Sequence, residues 1–324
     1  MRLFVTGGAG FIGSNYIRRA LENGDQVTSF DALTYAGNLS TVKDLDGKPG
    51  YTFVQGDIRD LDAVKRAMQG HDAVVHFAAE SHVDRSIAGP QEFVSTNCVG
   101  TSIVMHAALQ NEIDRVLHIS TDETYGSIEE GSFSETDRLG PRSPYSASKA
   151  GSDLIALSYF TTYGLNVSVS RASNNYGPYQ HPEKLIPRFT TNLLEGKKVP
   201  LMGDGGNVRD WMYVDDHCSG VDVVLRNGEA GEIYNIGAGN EISNREITET
   251  LLDLLGKDES FITPIPDRLG HDRRYSVDTS KAQELGWKPQ QDVRSGLEAT
   301  VRWYVDNRWW WEPLKLRDDA TGGV

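Results

Sequence analysis

The sequence predicts an α/β fold: a doubly wound parallel sheet with helices on both faces, plus a smaller C-terminal lobe. Three observations predict it. Short β-branched runs alternate with amphipathic stretches through the first half of the chain. Strand and helix in strict alternation imply right-handed crossovers, which place helices on both faces of a parallel sheet. From Gly177 onward the alternation breaks, and Gly, Pro and charged residues punctuate shorter elements.

The elements follow in order. Residues 2–6 read as a strand, 11–22 as a helix and 26–30 as a second strand. Residues 51–54, 73–77 and 116–120 are further buried strands, and a helix spans 91–110 between the last two. Ser143 and Pro144 supply an N-cap and a first-turn proline for a helix over 145–163. A strand at 166–170 follows it. Residues 1–176 are assigned to the sheet domain and 177–324 mainly to the smaller lobe. Some late segments are expected to rejoin the sheet, and residues 314–324 to form a mobile tail.

Composition narrows the function. Apolar residues make up 38% of 324, and adding the 33 glycines gives about 48%, an ordinary globular proportion. No apolar run approaches the ~20 residues that cross a bilayer. The opening Met-Arg-Leu-Phe-Val-Thr-Gly-Gly is too short before its glycines for a secretory segment. A net charge of −14 argues against nucleic-acid binding, which needs a basic face. Cys98 and Cys218 are too few for a disulfide framework or a four-ligand zinc site. His76, His118 and His217 form no zinc-like pair, and no metal is expected. The expectation is a cytoplasmic protein of a reducing compartment.

Gly7-Gly8-Ala9-Gly10-Phe11-Ile12-Gly13 lies between the first strand and the first helix. Glycines there permit a tight turn and let backbone approach a pyrophosphate seated on the helix N-terminus. Alone, the pattern also fits any tight strand-to-helix turn. Asp31, roughly 20 residues further on at the end of the second strand, strengthens it. A carboxylate there accepts hydrogen bonds from ribose hydroxyls and repels a 2′-phosphate, favouring NAD over NADP. Asp57, after the third strand, is placed to hold an adenine amino group.

Tyr145-Ser146-Ala147-Ser148-Lys149 opens the long helix. Spacing of four puts the ammonium beside the phenol on one face. That cation and the positive helix end are expected to lower the tyrosine pKa and make Tyr145 a base. Many solvated helices carry such a pair by chance; the glycine turn upstream favours the catalytic alternative.

Together these motifs resemble the extended short-chain dehydrogenase/reductases, a Rossmann-type family acting on nucleotide sugars. Asp31-Ala32-Leu33-Thr34-Tyr35-Ala36-Gly37-Asn38 and His76-Phe77-Ala78-Ala79-Glu80-Ser81-His82-Val83-Asp84-Arg85-Ser86 resemble segments of the dTDP-glucose 4,6-dehydratases. So do Ser120-Thr121-Asp122-Glu123-Thr124-Tyr125-Gly126, Asn174-Asn175-Tyr176-Gly177-Pro178-Tyr179-Gln180 and His181-Pro182-Glu183-Lys184-Leu185-Ile186-Pro187. Thr124 and Leu269 depart from that family's usual valine and proline without removing a chemical group.

The resemblance implies catalysis by Thr121, Asp122, Glu123, Tyr145 and Lys149. It implies NAD held by Gly7, Gly10, Phe11, Ile12, Gly13, Asp31, Leu33, Thr34, Asp57, Ile58, Ala78, Ala79, Ser81, Thr96, Tyr145, Lys149 and Asn175. Substrate contacts, with dTDP-glucose as substrate, would come from Ser81, Thr121, Asn174, Lys184, Leu185, Pro200, Met202, Arg209, Asn244, Asp267 and His271. Lys184, Arg209 and the arginines at 268–274 are candidates to offset the negative charge around a diphosphate. Dehydration needs a base for the carbon 5 proton and a donor for the departing carbon 6 hydroxyl. Adjacent carboxyls with separated pKa values meet both needs. In the family pattern Glu123 is that base, Asp122 the donor, and Thr121 holds the carbon 4 oxygen. The alternatives are a related nucleotide-sugar epimerase or decarboxylase, or a non-catalytic NAD-binding regulator. A homodimer paired through the helices at 91–110 and 145–163 is also expected from the family. Trp309-Trp310-Trp311 is assigned no chemistry.

Overall fold

The computed structural model describes residues 1–267 and 270–320. Arg268, Leu269 and the end of the expected tail, residues 321–324, lie outside the described residues. The described strands are β1 (Arg2–Thr6), β2 (Gln26–Asp31), β3 (Tyr51–Gln55), β4 (Ala73–His76), β5 (Arg115–Thr121) and β6 (Val167–Ala172). They continue as β7 (Asn174–Tyr176), β8 (Val199–Met202), β9 (Val208–Tyr213), β10 (Ile233–Ile236), β11 (Glu241–Ser243) and β12 (Ile262–Ile265).

The main sheet runs β10-β6-β5-β4-β1-β2-β3, and every pairing in it is parallel. Successive strand residues point to opposite faces. Leu3 and Val5 therefore pack with Tyr16, Ile17, Val221 and Val224 on one side. Phe4 packs with Phe30, Met68, Val104 and Met105 on the other. With both faces covered, β4, β5 and β6 are buried at every position, which explains apolar runs such as Leu3-Phe4-Val5 and Ala73-Val74-Val75. This is the Rossmann-type architecture expected. β10 and the helix Val214–Asn227, which packs against helix Phe11–Glu22, bring the late chain back to the sheet.

A third core of Tyr176, Ile186, Phe189, Trp211, Ile247, Leu251 and Leu297 lies under the remaining late elements. Small sheets β11-β9-β7 and β12-β8 belong to this part of the chain.

Two expectations change. The helix expected over 91–110 is broken into Pro90–Phe93, a π-helical stretch Val94–Gly100, and Thr101–Gln110. The widened turn contains Asn97, whose side chain accepts from the Glu80 N–H at 2.8 Å. It donates to the Glu80 carbonyl at 3.0 Å and to Ser148 Oγ at 2.8 Å, clamping the end of the β4 loop. The expected tail is helical through Ala320, within Arg308–Ala320. Leu314 is buried with Tyr304, Trp310 and Trp311, so apolar burial anchors it.

Candidate active site

After β1 the chain turns sharply at Gly7, φ +71°. A Cβ on Gly7 would lie 2.7 Å from the Ala78 nitrogen, and one on Gly13 2.3 Å from the Gly7 carbonyl oxygen. Only glycine allows that approach. Gly10 caps helix Phe11–Glu22 with no side-chain hydrogen bond, and the first turn holds no acidic residue. Its N–H groups are left to bind an anion at the positive end of the helix.

Asp31 ends β2 across this turn. Its Oδ1 accepts from the Leu33 N–H at 2.8 Å and its Oδ2 from the Ala9 N–H at 3.0 Å. Each oxygen keeps a further lone pair for a ribose hydroxyl. Burial nevertheless raises the carboxyl above its ordinary pKa.

One cleft gathers Gly7, Gly10, Phe11, Ile12, Gly13, Asp31, Thr34, Asp57, Ile58, Ala78, Ala79, Ser81, Thr96, Tyr145, Lys149 and Lys184. Leu33 and Asn175 are not on its wall. Leu33 adopts a left-handed backbone, φ 55°, that directs its N–H to Asp31. Asp57 is more committed than expected: Arg59 Nε reaches both its oxygens at 3.0 Å, and Arg59 Nη2 reaches Oδ2 at 2.7 Å. Sequence reasoning missed Arg59, Gly37, Tyr179 and Trp310, all on this wall. Gly37 had a signal within the segment that follows Asp31: a Cβ there would lie 2.5 Å from Asp31 Oδ1.

The chemical groups stand at the C-terminal end of β5, the edge where open α/β sheets build sites. Thr121 caps a short turn over Asp122–Thr124; the Glu123 N–H donates to its Oγ1 at 3.3 Å. Thr121 Oγ1 donates to Asp122 Oδ1 at 3.2 Å. Asp122 is 2% exposed, and its buried Oδ2 has no partner among the described residues. Burial first, then the Glu123 charge, pushes the Asp122 carboxyl well above the ordinary carboxylate range. Both causes favour the protonated carboxyl, the state a proton donor needs.

Tyr145 and Lys149 enter from helix Pro144–Tyr163, whose N-terminus is a capping box of Ser143 and Ser146. Both side chains are buried. The expected lowering of the Tyr145 pKa is not what the structure shows. Burial, then the Glu123 carboxylate, drives it up, against a smaller opposing contact from Thr121. Lys149 Nζ spends its hydrogen bond on the Ile119 carbonyl at 2.7 Å. Burial lowers the Lys149 ammonium to about 8, opposed by the charge of Asp153.

Beneath this pair lies a buried polar layer. Arg171 Nε donates to Asp153 Oδ2 at 2.9 Å, and His118 Nε2 lies 3.4 Å from Asp153 Oδ1 and 2.9 Å from Ser152 Oγ. His76 sits between Thr6 Oγ1 at 2.7 Å and Thr101 Oγ1 at 3.0 Å. Burial holds both histidines neutral, pulling His118 down to about 4. Among the described residues no group of His, Cys, Asp and Glu could hold a metal ion.

The expected substrate residues are more dispersed. Ser81 and Lys184 reach the cleft, and Lys184 Nζ donates to the Ser81 carbonyl at 2.8 Å. Thr121, Asn174, Leu185, Pro200, Met202, Arg209, Asn244, Asp267 and His271 are not on its wall. Arg209 nonetheless belongs near the carboxylates, since its charge opposes the Asp122 shift. It donates to the carbonyls of Val208 at 2.7 Å and Asp272 at 2.9 Å, over the ring of Tyr275. Tyr275, which sequence reasoning missed, is itself affected by the Glu123 charge. Asn174 and Asn244 each bury an oxygen with no partner among the described residues. His271 Nδ1 lies 2.6 Å from Asp267 Oδ1. Arg273 and Arg274 form ion pairs with Asp204 and Glu241.

A family model described as GDP-mannose 4,6 dehydratase matches residues 4–300. A dTDP-glucose 4,6-dehydratase of Streptomyces antibioticus is 54% identical, over 98% of this chain and 96% of its own length. One of Streptomyces niveus is 51% identical, over 99% and 98%. DesIV, a dTDP-glucose 4,6-dehydratase from Streptomyces venezuelae crystallised with NAD bound, matches with TM-score 0.95. It is 56% identical, over 97% of this chain and 100% of that one. The same strand-end carboxylates, tyrosine and lysine that pointed to dehydration thus sit in a chain that belongs to the dTDP-glucose 4,6-dehydratase family.

Proposed function

We propose that the chain converts dTDP-glucose to dTDP-4-keto-6-deoxyglucose and water, using NAD that is regenerated in each turnover. The observation that carries this reading is the buried Asp122 carboxyl, its Oδ2 without a partner among the described residues, beside Glu123 at the strand end that Tyr145 approaches. The glycine turn, the uncapped helix end and Asp31 fit a dinucleotide, and the Asp31 carboxylate favours NAD over NADP.

When bound, NAD supplies the acceptor and donor of one hydride and, oxidised, a positive charge. Tyr145 takes the carbon 4 hydroxyl proton as that carbon is oxidised. Its raised pKa in the free protein means that positive charge in the cleft, including the Lys149 ammonium, must favour the phenolate. Thr121 turns its hydroxyl proton from Asp122 Oδ1 to the carbon 4 oxygen. Glu123 removes the carbon 5 proton, made acidic by the ketone. Asp122 protonates the carbon 6 hydroxyl, which leaves as water. The hydride lost from carbon 4 finally returns to carbon 6 while Glu123 gives its proton back to carbon 5, and the proton taken by Tyr145 replaces the one Asp122 gave to the departing water.

Disabling the carboxylates separates oxidation from elimination. Asp122→Asn and Glu123→Gln are expected to reduce bound NAD on mixing with dTDP-glucose, yet lose about 10²-fold or more in turnover. Tyr145→Phe is expected to lose NAD reduction itself by a similar factor. Normal turnover in Glu123→Gln would refute its role as base.

A homodimer in the cytoplasm belongs to the same proposal. Val94, Val99, Leu154, Phe160 and Tyr163 are exposed apolar residues on the two helical segments expected to pair. Cys98 and Cys218 remain free thiols, which suits a reducing compartment.

A further inference from the structure

The run Trp309-Trp310-Trp311 has no place in the mechanism, and its three side chains part ways. Trp309 is half exposed, whereas Trp310 and Trp311 are buried. Trp310 also lies on the wall of the cofactor cleft, together with Gly10, Gly37 and Asp31. A side chain more than 270 residues from Asp31 in sequence thus closes the site that Asp31 opens.

Two contacts join the helix Arg308–Ala320 to the segment after Asp31, which carries Thr34, Ala36 and Gly37 on the cleft wall. The Trp310 indole N–H donates to Thr41 Oγ1 at 3.1 Å. Arg317 donates to the Tyr35 carbonyl. On its other side the helix is held by the smaller lobe. Lys315 Nζ donates to Asn192 Oδ1 and Glu195 Oε2, both at 2.8 Å, and Arg308 Nη2 donates to the Leu194 carbonyl at 3.3 Å. Tyr179, another wall residue, is fixed between Arg18 and the rings of Trp303 and Trp310.

From this we infer that the C-terminal helix is a wall of the NAD site, with Trp310 closing the cleft and Thr41 and Tyr35 tying the cofactor segment to it. The inference rests on the proposed use of NAD. A cofactor regenerated in each cycle has no need to leave, and a wall tied at both ends slows its escape. The segment after Asp31 cannot swing out unless the indole–Thr41 and Arg317–Tyr35 bonds break.

The test uses the full chain loaded with radiolabelled NAD and chased with unlabelled NAD. Thr41→Val removes the indole's acceptor with little change in packing, and Arg317→Ala removes the bond to the Tyr35 carbonyl. Each is expected to speed label release about fivefold, the scale of one net hydrogen bond. Trp310→Phe keeps a ring but loses the N–H, and is expected to match Thr41→Val. Trp310→Ala removes the wall and is expected to release NAD more than about tenfold faster. As a second readout, NAD is expected to slow amide hydrogen exchange across residues 308–320. Release at the unmodified rate from Thr41→Val, Arg317→Ala and Trp310→Phe alike would overturn the inference. So would helix exchange indifferent to NAD. If the unmodified chain retains no labelled NAD, the cofactor reading itself fails, an outcome distinct from unchanged release by the variants.

Discussion

From Gly7 to Lys149 the cleft is built on strand and helix ends; beyond Asn174, most residues expected to hold the sugar nucleotide lie off its wall and are bonded within the protein. The cofactor half presents open groups: an uncapped helix N-terminus and an Asp31 carboxylate with lone pairs to spare. In the sugar half Arg209 is held by two backbone carbonyls, Lys184 by the Ser81 carbonyl, and Asp267 by His271. The first set is preorganised by local backbone geometry, whereas Arg209 and Lys184 already spend hydrogen bonds on backbone carbonyls. Preorganised groups contribute more per contact, because little ordering or bond exchange is charged against them.

That contrast sets the expected order of effects. Asp31→Ala removes a prepared acceptor and is expected to weaken NAD by tenfold or more, with less effect on NADP, measured by equilibrium titration. An unchanged NAD affinity would break the comparison. The next effect comes from Lys149, at the junction of the halves. Its ammonium, lowered to about 8 by burial, loses its proton as pH rises through that value. The kcat/KM for the sugar nucleotide is therefore expected to fall on the alkaline side from near pH 8, far below an ordinary lysine. A profile flat to pH 10 would show that the charge on Lys149 is not needed. The smallest effect is expected in the sugar half. Asn244→Ala removes a buried oxygen that has no partner among the described residues, and should raise KM about fivefold without changing NAD affinity. Equal KM values would place that oxygen outside the substrate site.

The same contrast explains what the sequence revealed. β1, the glycine turn and Asp31 are legible because each is a local pattern: alternation, a tight turn, and a strand end. The Ser143 cap and the position of Tyr145 were legible for the same reason, being set within one helical turn. The Tyr145 pKa was not, because its sign is set first by burial and then by the Glu123 charge, both of which exist only in the folded chain. Asp57 reaches the cleft wall as expected, but its bonds to Arg59 depend on side-chain rotamers that no motif encodes. The π-helical turn at 94–100 coincides with the Asn97 clamp on Glu80, a tertiary bond that no helical periodicity encodes. Trp310 reaches Thr41 across most of the chain, and only the folded lobe brings them together. Leu314, expected in a mobile tail, is fixed by the same apolar cluster.

The central claim is that the Asp122–Glu123 pair makes this site eliminate water after oxidation at carbon 4. Its most direct test is incubation with dTDP-glucose carrying deuterium at carbon 4, followed by mass spectrometry and NMR of the sugar. A 4-keto-6-deoxy product with the deuterium at carbon 6 of the same molecule is expected. Deuterium retained at carbon 4 while dTDP-galactose accumulates would contradict it, making the chain an epimerase.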